Sequence, residues 1–311
     1  MFKDCKYTCL FFALAALICI SCSKESAIGE PVSGGPEPIV SAVIDAPGTT
    51  TSSGTTAPAT KVAFLEDGAT RALKAFWEAG DKVIGFDSNG VTYGYEVESK
   101  SVQSGTARLT RITSGDFQGT ATASPAEGTT MYLFYAPGSS PADIGGNSLT
   151  CSLASQSKDI VPAFMMAQAK VEGNVLVFHF RNVTSVLGIK NPTMAVADRH
   201  YSSIELTGTA PGTGTGSGSC LNTRVCFSLN GGDLAVSYDT PGPITKEVDF
   251  TSSPVRTVSE VIYIASCPLA TATDLTFTAD SVERFKATGR TMEAGGYYYM
   301  TPTFEPSPSA P

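Results

Sequence analysis

Residues 82–97 read KVIGFDSNGVTYGYEV. Asn89-Gly90 is the pair favoured by a type I′ turn, because both central residues of that turn need positive φ. The flanking runs are rich in Val, Ile, Phe and Tyr, side chains that suit a pleated, half-buried surface. The stretch is therefore a β-hairpin, with Lys82–Phe86 turning back into Val91–Val97. Tyr93 and Tyr95 are two residues apart, so they share one face of their strand, and that face reads as core.

The same grammar runs outward in both directions. Upstream, Lys61–Phe64 and Leu73–Trp77 flank a Glu66-Asp67-Gly68 turn, and Gly80-Asp81 leads into Lys82. Further up, Ile39–Ile44 (IVSAVI) reads as a first strand isolated between two low-complexity stretches, 26–38 (SAIGEPVSGGPEP) and 47–60 (PGTTTSSGTTAPAT). Downstream come Ala107–Ile112 and Thr130–Tyr135. The pattern restarts around Gly173-Asn174 with Val175–Phe180, Val183–Ile189 and Ser203–Leu206. Val225–Leu229 and Leu234–Tyr238 follow, then Val261–Ala265, Asp274–Thr278, Arg284–Ala287 and Gly296–Thr303. No stretch carries an amphipathic helix of three turns. Strands recurring every 8–12 residues or so between turn signals predict an all-β protein. Their number predicts two tandem β-sandwich domains, 39–170 and 171–304, followed by a loose Pro-rich tail over 305–311.

The chain has 311 residues and a formal charge of −8, with only 16% charged residues. An acidic chain without a basic cluster excludes nucleic acid as the partner. Lys3 and Lys6 precede an apolar run, Leu10–Ile20, and small Ser21 stands before Cys22. That layout is a secretory signal peptide over residues 1–21, to be set aside in fold reasoning. Residues 22–38 then form a flexible Gly/Pro-rich tether. No second apolar run of about 20 residues is present to cross a membrane as a helix.

Three of the eight cysteines, Cys5, Cys9 and Cys19, leave with the signal. Beyond Cys22, the remaining four, Cys151, Cys220, Cys226 and Cys267, allow three pairings. Cys220 and Cys226 bracket LNTRV and make a candidate hairpin disulfide; buried free thiols are the alternative. No CxxC spacing exists among the four, and His179 and His200 are the only histidines, which gives no metal site. No cofactor motif stands out either. HExxH, GxSxG and the P-loop are absent. The glycine-rich Pro211–Cys220 reads as a loop, and His179 as a half-exposed strand residue between Phe178 and Phe180. His200 falls in a turn, and Asp81, Asp87, Glu96 and Asp116 form no glycosidase pair. The chain thus reads as non-enzymatic. In Tyr297-Tyr298-Tyr299 at least one ring must face away from the others, which leaves an exposed ring such as Tyr298 as a candidate glycan platform.

Several segments carry resemblances. Cys19-Ile20-Ser21-Cys22 resembles a bacterial lipoprotein box, with Cys where Leu is usual. The resemblance implies cleavage before Cys22 and lipidation of its new N-terminus, hence an outer-membrane lipid anchor; ordinary signal cleavage nearby is the alternative. Ser23-Lys24-Glu25 resembles the start of the tag that sends such lipoproteins to the cell surface. Trp77-Glu78-Ala79-Gly80-Asp81-Lys82-Val83 resembles the W-x-x-G-D-x-I hairpin of fimbrillin-like lipoproteins, relatives of type V pilus subunits of Bacteroides-type bacteria. Phe178-His179-Phe180-Arg181-Asn182-Val183 is similar to that family's F-x-F-x-N-V stretch, and Ala294-Gly295-Gly296-Tyr297-Tyr298 to its closing A-G-x-x-Y strand.

The family resemblance implies two transthyretin-like sandwiches, no enzymatic activity, and assembly with other pilus subunits by β-strand addition. An Arg- or Lys-specific protease removes a placeholder strand, and a partner's strand takes its place. The placeholder would be Ile39–Ile44, with Ile39, Val40, Ala42 and Ile44 as its candidate contact residues. Arg71 is the candidate cut, ahead of Lys61 and Lys74. The alternative is that Ile39–Ile44 is simply an edge strand. The prolines of 305–311 unsuit the tail as a donor, leaving Tyr297–Phe304 or a tip or accessory role. Asp280-Ser281-Val282 resembles a short O-glycosylation motif of these bacteria. A monomeric surface lipoprotein binding a glycan or host ligand is the second functional reading.

Overall fold

The structure is a computed structural model. It describes residues 39–44, 62–66, 73–98, 106–157, 163–173, 175–190, 193–194, 202–211, 218–248, 261–280, 283–300 and 303–306. All of these belong to one compact unit, Glu37–Pro311. Among them the only helical turn is a single 3-10 turn, Pro141–Asp143, and everything else regular is strand.

The first group of strands is β1 (Ile39–Ile44), β2 (Val62–Glu66), β3 (Leu73–Trp77), β4 (Lys82–Asp87), β5 (Thr92–Val97), β6 (Thr106–Arg111) and β7 (Thr130–Tyr135). Next come β8 (Ser148–Ser152), β9 (Ser155–Gln156), β10 (Met165–Lys170) and β11 (Val175–Asn182). In the order β1, β11, β10, β7, β4, β5, β6 they close into a barrel, while β2 and β3 pair as a separate hairpin. Every barrel pairing is antiparallel except that of β1 with β11. The hairpin expected at Asn89-Gly90 joins β4 to β5, with Gly90 at φ 80°. Gly94 has a different reason to be glycine: a Cβ there would lie 1.7 Å from the Phe117 carbonyl oxygen.

Alternation along these strands builds two cores at once. Val83, Tyr93, Tyr95, Leu133, Tyr135, Leu176, Phe178 and Phe180 fill the barrel with Trp77. Ile84, Phe86, Tyr132 and Phe134 point out of it into a second core. The run TMYLFY (130–135) lacks polar alternation because β7 is covered on both faces.

The rest of the chain supplies β12 (Ser185–Lys190), β13 (Thr193–Met194), β14 (Ser203–Thr209), β15 (Asn222–Asn230), β16 (Asp233–Pro241) and β17 (Ile244–Glu247). β18 (Val261–Ser266), β19 (Leu269–Ala279), β20 (Glu283–Met292), β21 (Tyr297–Met300) and β22 (Thr303–Pro306) follow. The sheet β18-β12-β21 faces the sheet β13-β22-β20-β19-β14-β17-β9 across a third core of Leu187, Ile189, Leu206, Ile264, Leu275 and Phe277. Its other face, with β8 and β15, completes the second core through Val186, Tyr263, Leu149 and Phe227.

Three expectations are corrected by this topology. The 170/171 boundary falls in the turn between β10 and β11, which pair with each other inside the barrel. Two strands from before it, β8 and β9, pair with β15 and β17 from after it. The halves therefore share strands and a core rather than standing in tandem. Glu305 and Pro306, expected in the loose tail, belong to β22, where Arg284↔Glu305 and Glu283↔Pro306 pair. Proline is tolerated there because it ends the strand. Residues 307–311 lie outside the described residues. LNTRV is not a turn either: Asn222–Asn230 is one continuous strand. At roughly 3.3 Å per residue, Asn222 to Cys226 alone spans about 13 Å. A disulfide needs Cα atoms within about 7 Å. Cys220 and Cys226 are free thiols, as are Cys151 and Cys267.

Candidate functional site

β1 is inserted between β11 and β6. Val40 pairs with Leu176 on one side and Leu109 on the other, and Ala42 with Phe178 and Ala107; Ile44 pairs with Phe180. Directly paired residues project to the same face, so these side chains line one trough opening into the barrel. Val40 is 4% and Ala42 0% exposed, and Ile44 is half-buried. Beneath Phe180 stands Trp77, edge-on with ring centroids 5.1 Å apart, and Trp77 meets Tyr135 the same way at 5.5 Å. The Trp of W-x-x-G-D is thus part of the trough's floor. The Asp locks the turn before β4: the Glu78 N–H donates to Asp81 Oδ2 (2.8 Å), and the Tyr135 hydroxyl to Asp81 Oδ1 (3.4 Å).

The outer face of the same strands carries apolar side chains that water reaches. Ile39 (44% exposed), Val175 (55%) and Val177 (43%) are the exposed large hydrophobic residues among those described, and Ile39 is paired with Val175. His179 continues this face, exposed between buried Phe178 and Phe180, as alternation requires. Arg108, paired with Ser41, carries an exposed ion pair to Glu98 at 3.2 Å. Such a pair adds at most about 1 kcal/mol. β1 is therefore held by two backbone ladders and by the burial of Val40 and Ala42, with Ser41, Val43 and Ile44 half-buried. Burying one Val contributes about 1.5–3 kcal/mol.

The other sequence-derived positions are scattered. Cys22, Ser23–Glu25, Lys61 and Arg71 lie outside the described residues, as do Ser281, Val282 and His200. Lys74 sits within β3, paired with Leu65. Cys151 and Cys267 are buried, and burial pushes their thiols up to about 11 and about 12, away from nucleophilic reactivity. Asp87 is consumed by its turn: Oδ1 accepts from the N–H groups of Asn89 and Val91, and Oδ2 from the Tyr93 hydroxyl. Tyr297 packs in the second core near Tyr263 and Tyr299, while Tyr298 packs against the third. Tyr298 is half-buried, its hydroxyl accepts from the Glu293 N–H at 2.7 Å, and its ring lines a cleft of about 230 Å³ with Leu187, Leu275 and Arg290. It is a wall of that cleft more than an open stacking platform. Among the described residues no group of three or more His, Cys, Asp or Glu converges as a metal site, and no helix is long and apolar enough to cross a membrane.

Sequence reasoning identified β1 but not its neighbours. That β11 would lie beside it in parallel, about 130 residues later, has no local signal.

No protein-family model matches the chain, and no curated protein does. Solved structures do. One from Bacteroides uniformis covers 73% of this chain and 87% of its own, at 18% identity and a TM-score of 0.48. One from Bacteroides ovatus covers 88% and 96%, at 13% identity and a TM-score of 0.49. Both bear the description "putative cell adhesion protein". A fimbrial assembly protein from Parabacteroides distasonis covers 85% and 90%, at 9% identity and a TM-score of 0.37.

Proposed function

We propose that this chain is a non-enzymatic, fimbrillin-like cell-surface protein, a subunit or tip adhesin of a pilus, that assembles by exchange of β1. The observation that carries the reading is β1 itself. It closes a barrel by backbone pairing on both edges, parallel to β11 and antiparallel to β6, with few buried side chains. Its departure would expose two unpaired strand edges over an apolar trough, the arrangement that β-augmentation requires. In this reading Arg71, on the stretch between β2 and β3, is the cut that frees the N-terminal segment, and the barrel and the C-terminal sandwich are the transthyretin-like halves of the subunit. Cys22 carries the lipid that holds the precursor to the outer membrane. On β11, exposed Val175 and Val177 flank the exchanged strand and suit an interface with the next subunit.

The test is limited digestion of the chain with an Arg- or Lys-specific protease, followed by N-terminal sequencing and unboiled gel electrophoresis. Strand exchange predicts one early cut between Lys61 and Lys74 and, once a partner chain able to supply a strand is added, detergent-resistant complexes that Arg71→Ala abolishes. A protein that resists the protease there, or that is cut and stays monomeric with any candidate partner, sinks the reading.

A further inference from the structure

The inward positions of β1 are unequal. Val40 lies between two leucines, Leu176 and Leu109, whereas Ala42 lies between Phe178 and Ala107 and is wholly buried. The Phe178 ring, itself 1% exposed, takes the room beside Ala42, so a methyl group fills what is left. Close-packed interiors resist added volume.

We infer that the trough selects its occupant by size: the donor is a strand running parallel to β11 with a branched aliphatic residue, then one no larger than serine two positions on. This rests on the strand-exchange reading above. The chain's own last segment does not meet the rule. Over residues 297–304 (YYYMTPTF), alternate positions are Tyr, Tyr, Thr, Thr or Tyr, Met, Pro, Phe, with no Ala, Gly or Ser in either set. Pro302 would also break a ladder hydrogen bond. In addition, β21 is paired with β12, and β22 with β20 and β13. Copies of this chain therefore do not extend one another through that segment, and the donor belongs to a different chain carrying the aliphatic-x-small pattern.

The experiment uses the full chain with a protease site inserted between residues 45 and 61, nicked so that β1 can leave, and three fluorescent peptides read by anisotropy. The peptide of residues 38–45 (PIVSAVID) enters. The same peptide carrying Ala42→Leu binds at least about tenfold more weakly, as overpacking a core site implies. The peptide of residues 297–304 does not enter. If the Leu peptide or the 297–304 peptide binds as well as the first, size selection is overturned while strand exchange stands. If no peptide enters a completely nicked, folded chain, strand exchange itself is overturned and the proposal with it. Should nicking unfold the protein, the uncut chain gives the answer. There Ala42→Leu lowers the thermal midpoint by several degrees and Ala42→Ser barely moves it, and equal midpoints overturn the selection.

Discussion

Asp280 shows how much one side chain can organise. It closes the connection from β19 to β20 at φ 44°, a left-handed conformation that Asp tolerates better than most residues. Its carboxylate accepts from the backbone N–H and hydroxyl groups of both Ser202 and Ser203, tying that turn to the start of β14. Burial alone would raise its pKa, but the bonds from Ser202 and Ser203 outweigh it and hold the carboxyl below the ordinary value. A carboxyl with a lowered folded pKa stabilises the protein above the unfolded value, about 3.9. That contribution disappears as pH falls through the folded value. Asp280→Ala should therefore cost about 1–2 kcal/mol in urea unfolding at pH 7. The gap between variant and wild type should narrow as pH drops below the ordinary carboxyl value of about 3.9. A gap independent of pH would show that the charge is not what matters. Asp280-Ser281-Val282 was legible in the sequence only as a modification motif. Its role as a clamp was not, because its partners lie some 78 residues away.

At the scale of the element, the β15–β16 hairpin was readable from Asn230-Gly231-Gly232-Asp233, and Gly231 and Gly232 have the positive φ such a turn needs (64° and 94°). Its attachment to the barrel was not readable. The Tyr132 hydroxyl on β7 donates to the Gly232 carbonyl (2.6 Å), the Leu234 N–H donates to Gln168 Oε1 on β10 (3.2 Å), and Phe227 meets Phe134 at 4.9 Å between ring centroids. Phe227→Ala should destabilise the protein by about 3–5 kcal/mol, the cost of a buried aromatic lost to a cavity. Tyr132→Phe should cost about 1 kcal/mol, one hydrogen bond. Chemical unfolding measures both. A loss under about 1 kcal/mol for Phe227→Ala would mean that the hairpin is not held by this contact. β8 escaped sequence reading altogether: SLTCS has weak strand propensity and owes its state to pairing with β15.

At the scale of the molecule, the second core joins barrel residues to residues of the C-terminal sheets with no apolar gap. Units that share a core unfold together. Calorimetry of the chain without its first 38 residues should give one transition. A fragment of residues 39–170 should fail to fold, since it lacks β11 and leaves the barrel open beside β1. Two independent transitions, or a folded 39–170 fragment, would restore the tandem arrangement.

The sequence by itself determined the class and the local elements: period-two alternation and turn chemistry act over a few residues, through φ/ψ sterics and side-chain direction, and the β4–β5 hairpin, β1 and the absence of long helices among the described residues all follow from them. The W-x-x-G-D and F-x-F-x-N-V stretches were visible as well. That Trp77, Phe178 and Phe180 pack as one trough was not. Only the tertiary structure decided which strands neighbour which, where the halves join, and that β1 closes a barrel beside β11. Those depend on contacts between residues from tens to more than a hundred positions apart, and no local pattern encodes which distant edge a strand will meet.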